Sequence, residues 1–67
     1  MPDIMHRGAG KIAERVLGED TAQTRRIVFR WASEIPPEQR PFPIHKDGRT
    51  IFAWEHDITG RGFPADH

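Results

Sequence analysis

The chain contains no cysteine, so neither a disulfide framework nor a thiolate zinc site can staple its fold, and a reducing compartment is expected. No apolar run approaches the roughly 18 residues of a membrane span, and the N-terminus lacks the charged-then-apolar order of a secretion signal. A cytoplasmic protein, neither inserted nor targeted, is the expectation. There is no glycine-rich phosphate loop, the one serine, Ser33, has no neighbour resembling a base and its orienter, and His56-Asp57 is merely a local pair. An enzyme is therefore not expected. His6, His45, His56 and His67 have no spacing that puts two of them on one helical face, which argues against a metal site, and no cofactor is expected. Net charge is missing too, with ten Lys and Arg against ten Asp and Glu, so bulk electrostatics alone do not suggest a nucleic-acid partner.

What is present is enough for one small domain. Sixty-seven residues, 36% of them apolar and six of them proline, leave a thin core of the kind that supplies only about 3 to 5 kcal/mol of net stability. Charge is unevenly placed. Between Thr21 and Trp54 stand Arg25, Arg26, Arg30, Arg40, Lys46 and Arg49 against Glu34, Glu38 and Asp47, a local excess of three positive charges. Eight of the ten bases are arginine, the side chain that makes planar bidentate contacts with phosphate and guanine. That bias points toward an anionic partner.

Residues 1–10 hold Pro2, Gly8 and Gly10 and keep no sustained period, which predicts a flexible lead-in. From Lys11 the pattern is helical: Ile12, Ala13, Val16 and Leu17 form one apolar stripe, and Gly18 can adopt the left-handed cap that ends the helix. Asp20 or Thr21 can cap a second helix, with Asp20 and Gln23 resembling a capping box. That helix is expected from Ala22 to about Glu34, packing Thr24, Ile27, Val28, Trp31 and Ile35 on the first and throwing Gln23, Arg26, Arg30 and Ser33 onto a different, basic face. Phe29 lies off the apolar stripe, where it meets either the loop prolines or a partner. Pro36 and Pro37 stop the helix, and the proline-rich linker is followed by two short strands around Asp47-Gly48. A hairpin turning there sets Lys46 opposite Arg49, two like charges at the tip that a bound anion would reconcile. Glu55 to Ile58 reads as a last short helix turn, Trp31 and Trp54 as core or rim, His45 as hairpin surface, and 59–67 as a polar tail.

Two helices joined by a tight turn and followed by a hairpin is the order of a helix-turn-helix with one wing. The expected fold class is α+β, a small winged helix-turn-helix domain over 11–58. The run Gly8-Ala9-Gly10-Lys11-Ile12-Ala13-Glu14-Arg15-Val16-Leu17-Gly18 resembles the "GA..IAE.LG" opening of small winged-helix proteins of the excisionase and MerR-like DNA-binding superfamily. Thr24-Arg25-Arg26-Ile27 with Trp31-Ala32 is similar to its recognition helix. Phe42-Pro43-Ile44-His45, Asp47-Gly48-Arg49, Ile51, Ala53 and Ile58 resemble the strand, wing and final helix. The chain departs from that pattern in the longer loop Pro36-Pro37-Glu38-Gln39-Arg40 and in Trp54-Glu55, where the family often carries basic residues.

The resemblance implies a double-stranded DNA binder of the kind that acts as a recombination directionality factor, binding repeated sites beside an attachment site, bending the DNA and assisting an integrase. On the residues, Gln23, Arg26 and Arg30 are expected at base edges and Thr24 and Arg25 at phosphate, since arginine pairs bidentately with guanine and glutamine with adenine. Lys46 and Arg49 are expected to grip phosphate or the minor groove. A single helix and wing cover a short site, so weak head-to-tail self-association on DNA is expected, with a location at the nucleoid. The alternatives are a small transcriptional regulator and, from another class, a protein-interaction adaptor whose arginine face meets an acidic partner.

Overall fold

Two turns of apolar spacing after Gly8 and three after Thr21 become the two main helices of the chain. The computed structural model describes residues 3–63, in which β1 (Met5–Arg7), α1 (Ala9–Leu17), α2 (Ala22–Ser33), a 3-10 turn (Pro37–Gln39), β2 (His45–Asp47), β3 (Thr50–Trp54) and α3 (Glu55–Gly60) follow one another. This is the expected α+β arrangement of two helices, a hairpin and a short last helix, with a third strand added. Gly18 takes φ +86° and ends α1 as a left-handed cap. The cap of α2 is Thr21, not Asp20. Its hydroxyl accepts from the Thr24 N–H at 3.1 Å, and its own N–H donates to the Thr24 hydroxyl at 2.8 Å, a reciprocal capping box that satisfies two otherwise orphaned groups.

The sheet order is β1-β3-β2, all antiparallel, with Met5 opposite Trp54 and His45 opposite Phe52. Residues 1–10 are thus not a flexible lead-in throughout: Met5–Arg7 is an edge strand and α1 already begins at Ala9. Along β3, Ile51 and Ala53 are buried while Thr50, Phe52 and Trp54 alternate to the half-covered outer face. The core joins Ile51 and Ala53 to Ile12, Val28, Phe42, Ile44 and Ile58. Ala9, Ala13 and Ala32 are also buried, and small side chains there let the two helices lie close to each other and to the sheet. Phe42 is the hub, with Trp31 and Phe63 meeting its ring edge-on at 5.9 and 5.6 Å. The polar tail expected over 59–67 does not hold for its first residues: Thr59 and Gly60 belong to α3 and Phe63 packs on the core, while 64–67 lie outside the described residues.

One ionic cluster closes the ends of the fold. Arg15 of α1, almost wholly buried, gives Nε and Nη2 to the two Glu55 oxygens at 2.8 and 2.7 Å, and His6 of β1 meets the same carboxylate at 2.7 Å. The Glu55 N–H donates to the Ile4 carbonyl at 2.8 Å. His56 is hydrogen-bonded to Asp3. The Arg15 hydrogen bonds, reinforced by His6, hold the Glu55 pKa down at about 2 from 4.5. A carboxylate whose folded pKa is depressed contributes stability above its unfolded value and loses it as pH falls through the folded one. The unfolding free energy measured in urea is therefore expected to drop between pH 4.5 and about 2. Glu55→Gln should lack that part of the drop and be less stable at pH 7 by roughly 3 kcal/mol, because Arg15 then sits buried beside a neutral amide. An acid profile unchanged by the substitution would separate Glu55 from the acid sensitivity.

Candidate nucleic-acid interface

A residue every 100° around α2 sets its faces. With Val28 pointing inward, Thr24, Ala32 and half-buried Trp31 flank it toward the core. Gln23, Arg26, Arg30 and Ser33 fall on the opposite side and are all exposed, so the outward basic face read from spacing is present. Ile27, expected on the packed stripe, is 38% exposed, and Ala32 takes the inward position instead. Arg26, Phe29, Arg30, Ser33 and Glu34 border one shallow cleft.

The hairpin corrects the sequence reading in register. Asp47 pairs with Thr50 and Lys46 with Ile51, so Gly48-Arg49, not Asp47-Gly48, is the turn. Gly48 takes φ +64°, and none of the described non-glycine residues has positive φ. This is the sign pattern of a two-residue turn with glycine first. Asp47 stands in the ladder, where the Nη2 of Arg7 of β1 donates to it at 2.6 Å across the outer face of β3. Lys46 and Arg49 consequently do not oppose each other, and the argument from facing like charges fails. Because the slip is two residues, each side chain keeps its face of the sheet. Lys46 and Arg49 line one cleft of about 330 Å³ with Phe29, Ala32, Ser33 and Ile51, so the hairpin tip stands over the flank of α2.

Of the seven expected contact residues, one is buried and two are in ion pairs. Thr24 is buried, and its hydroxyl lies in the capping box and donates to the Glu19 carbonyl at 3.0 Å, so it cannot meet phosphate. Arg25 is paired with Asp20, whose hydrogen bond raises the arginine pKa and lowers that of the aspartate. Arg30 forms an i,i+4 pair with Glu34 at 3.2 Å, but 72% and 68% of the two side chains are exposed; such a surface pair is worth only about 0.3 to 0.5 kcal/mol and is easily exchanged. Arg26, Lys46 and Arg49 make no ion pair with any described residue.

Arg40, counted by sequence as part of the local positive excess, is a structural cap. Its Nε donates to the carbonyls of Trp31 (2.6 Å) and Ile35 (3.0 Å), Nη2 to Ala32 (2.7 Å) and Nη1 to Ile44 (3.1 Å). It satisfies carbonyls left free at the end of α2, places a cation at the negative end of that helix, and ties it to the strand that enters the hairpin. The signal for this was the placement of a lone arginine in a proline-rich loop just past a helix end. Among the described residues no group of three His, Cys, Asp or Glu is placed to hold a metal ion, and no helix is long and apolar enough to cross a membrane.

Compared with protein-family models, with curated proteins and with solved structures, the chain finds no match.

Removing the cap should loosen the interface. Arg40→Ala is expected to lower the urea unfolding free energy by about 2 to 3 kcal/mol, the scale of losing charge-assisted hydrogen bonds. Arg40→Lys should recover little of it, since one ammonium cannot span four carbonyls. Stability within about 0.5 kcal/mol of wild type would mean that water replaces the guanidinium.

Proposed function

We propose that the chain binds double-stranded DNA with α2 in the major groove and the hairpin tip against the neighbouring backbone. The observation that carries this reading is the continuity of the surface: Phe29 and Ser33 border both the cleft of Arg26 and Arg30 and the cleft of Lys46 and Arg49. A helix about 10 to 12 Å across with its side chains fits a groove about 12 Å wide, and the 12 residues of α2 run about 18 Å. Gln23, Arg26 and Arg30 then face base edges, and Lys46 and Arg49 meet phosphate beside them. Zero net charge does not oppose this, because the charge is unevenly placed, and Arg26, Lys46 and Arg49 on this surface make no ion pair with any described residue.

In the finer form of the proposal the chain is a recombination directionality factor resident at the nucleoid. Copies occupy repeated sites beside an attachment site, touch head to tail, bend the DNA and assist an integrase. One helix and one hairpin reach only a short site, so affinity comes from neighbours held at high effective concentration. The free chain is then a monomer, and direct repeats fill cooperatively. Light scattering that reports a tight dimer without DNA, combined with non-cooperative filling of one palindrome, removes this finer role.

Arg26→Ala and Arg30→Ala should each cost about 1 to 3 kcal/mol of binding to the preferred duplex while leaving thermal stability unchanged. If both bind like wild type, α2 is not the reader. Replacing Lys46 and Arg49 together by alanine should weaken preferred and random duplexes alike and flatten the salt dependence by roughly two phosphate contacts. An unchanged salt slope retires the hairpin as a contact. If wild type does not bind random duplex even at low salt, the basic face belongs to an acidic protein partner.

A further inference from the structure

Phe29 is 50% exposed, a large apolar side chain left in water by a chain with a thin core. Its place explains more than its exposure. On α2 it lies about a quarter-turn from Val28, between the buried side and the outward basic face, and it borders the clefts on both sides of it. Around it stand Arg26, Arg30, Ser33, Lys46 and Arg49, with Glu34 beside Arg30 as its ion-pair partner. The Ser33 hydroxyl is turned back to the Phe29 carbonyl at 2.7 Å, so the helix leaves no hydroxyl donor reaching out beside the ring. The surface is therefore an apolar spot within a rim of four cations and one carboxylate, and three of the cations make no ion pair with described residues.

That combination selects its occupant. An apolar protein surface would bury Arg26, Lys46 and Arg49 without partners, which costs several kcal/mol per charge. A polyanion that also presents apolar points satisfies both parts, and on the major-groove edges of duplex DNA the apolar group is the 5-methyl of thymine. We infer that Phe29 is a specificity-determining residue that packs on a thymine methyl when α2 lies in the major groove. The inference rests on the DNA-binding reading and deepens it: the arginines set register and read guanine, while Phe29 requires thymine at the position under the hairpin side of the helix.

The test begins with enrichment of a random duplex library by the full-length chain. In an enriched duplex each thymine is then replaced singly by deoxyuracil, which removes only the methyl group. At one thymine or more, the replacement should weaken wild-type binding about fourfold, the factor that one buried methyl group carries. Phe29→Ala should bind the thymine and uracil duplexes equally, with the wild-type salt slope. Its fold is followed by circular dichroism, and Phe29→Leu, which keeps an apolar side chain, should retain part of the discrimination. Salt-dependent binding with no thymine sensitive to the replacement, or sensitivity that persists in Phe29→Ala, overturns the inference while the DNA reading stands. The same result is expected if the ring instead wedges between base steps, since a wedge does not sense the methyl group. No enrichment and no salt-dependent binding removes the reading and the inference together.

Discussion

One guanidinium ties α2 to the hairpin that shares its core. Arg40 holds the carbonyls of Trp31, Ala32 and Ile35 on one side and that of Ile44 on the other, so the end of the helix and the start of the strand are fixed to the same rigid plane. Five donors in a planar fork can do this, and no other side chain carries so many. The prolines around it restrict the loop that Arg40 closes on itself. Everything on the basic surface inherits this geometry: Phe29 and Ser33 can border two clefts at once only because the hairpin tip is held over the flank of the helix.

Local residues carried much of the fold. Apolar spacing from Lys11 and after Thr21, the left-handed glycine at 18 and the proline stop at 36 each act within a few residues, and each is readable in one dimension. What escaped was set by contacts distant in sequence. Met5–Arg7 is too short to show a period and is a strand because β3 pairs with it. The hairpin register pairs Lys46 with Ile51 and Asp47 with Thr50, which leaves Gly48 to take the positive φ, and the Asp-Gly dipeptide alone does not fix it. Thr24 and Arg40 are misread for one shared reason: a polar side chain looks available in sequence until its backbone partners are known.

The same holds for charge. A local excess of three positive charges is a count, whereas the surface reflects which charges are already engaged. Arg40 is spent on carbonyls and Arg25 on Asp20. Arg26, Lys46 and Arg49 are left around an exposed ring, a smaller cationic surface than the count suggests and a more localised one. The unexpected acid after Ala53 also has its explanation here, since Glu55 is the partner of a buried arginine on the far end of α1.

The placement of β1 has a consequence in time as well as in space. α1 and α2 are neighbours along the chain and can pair as soon as both are made, but His6 meets Glu55 across 49 residues. Closing so long a loop costs entropy before any contact offsets it, so pairing of β1 with β3 is expected to be slower than pairing of the two helices. In the finished protein the same economy runs in reverse: an edge strand of three residues, held by pairs at its ends, is where amide exchange with solvent should begin.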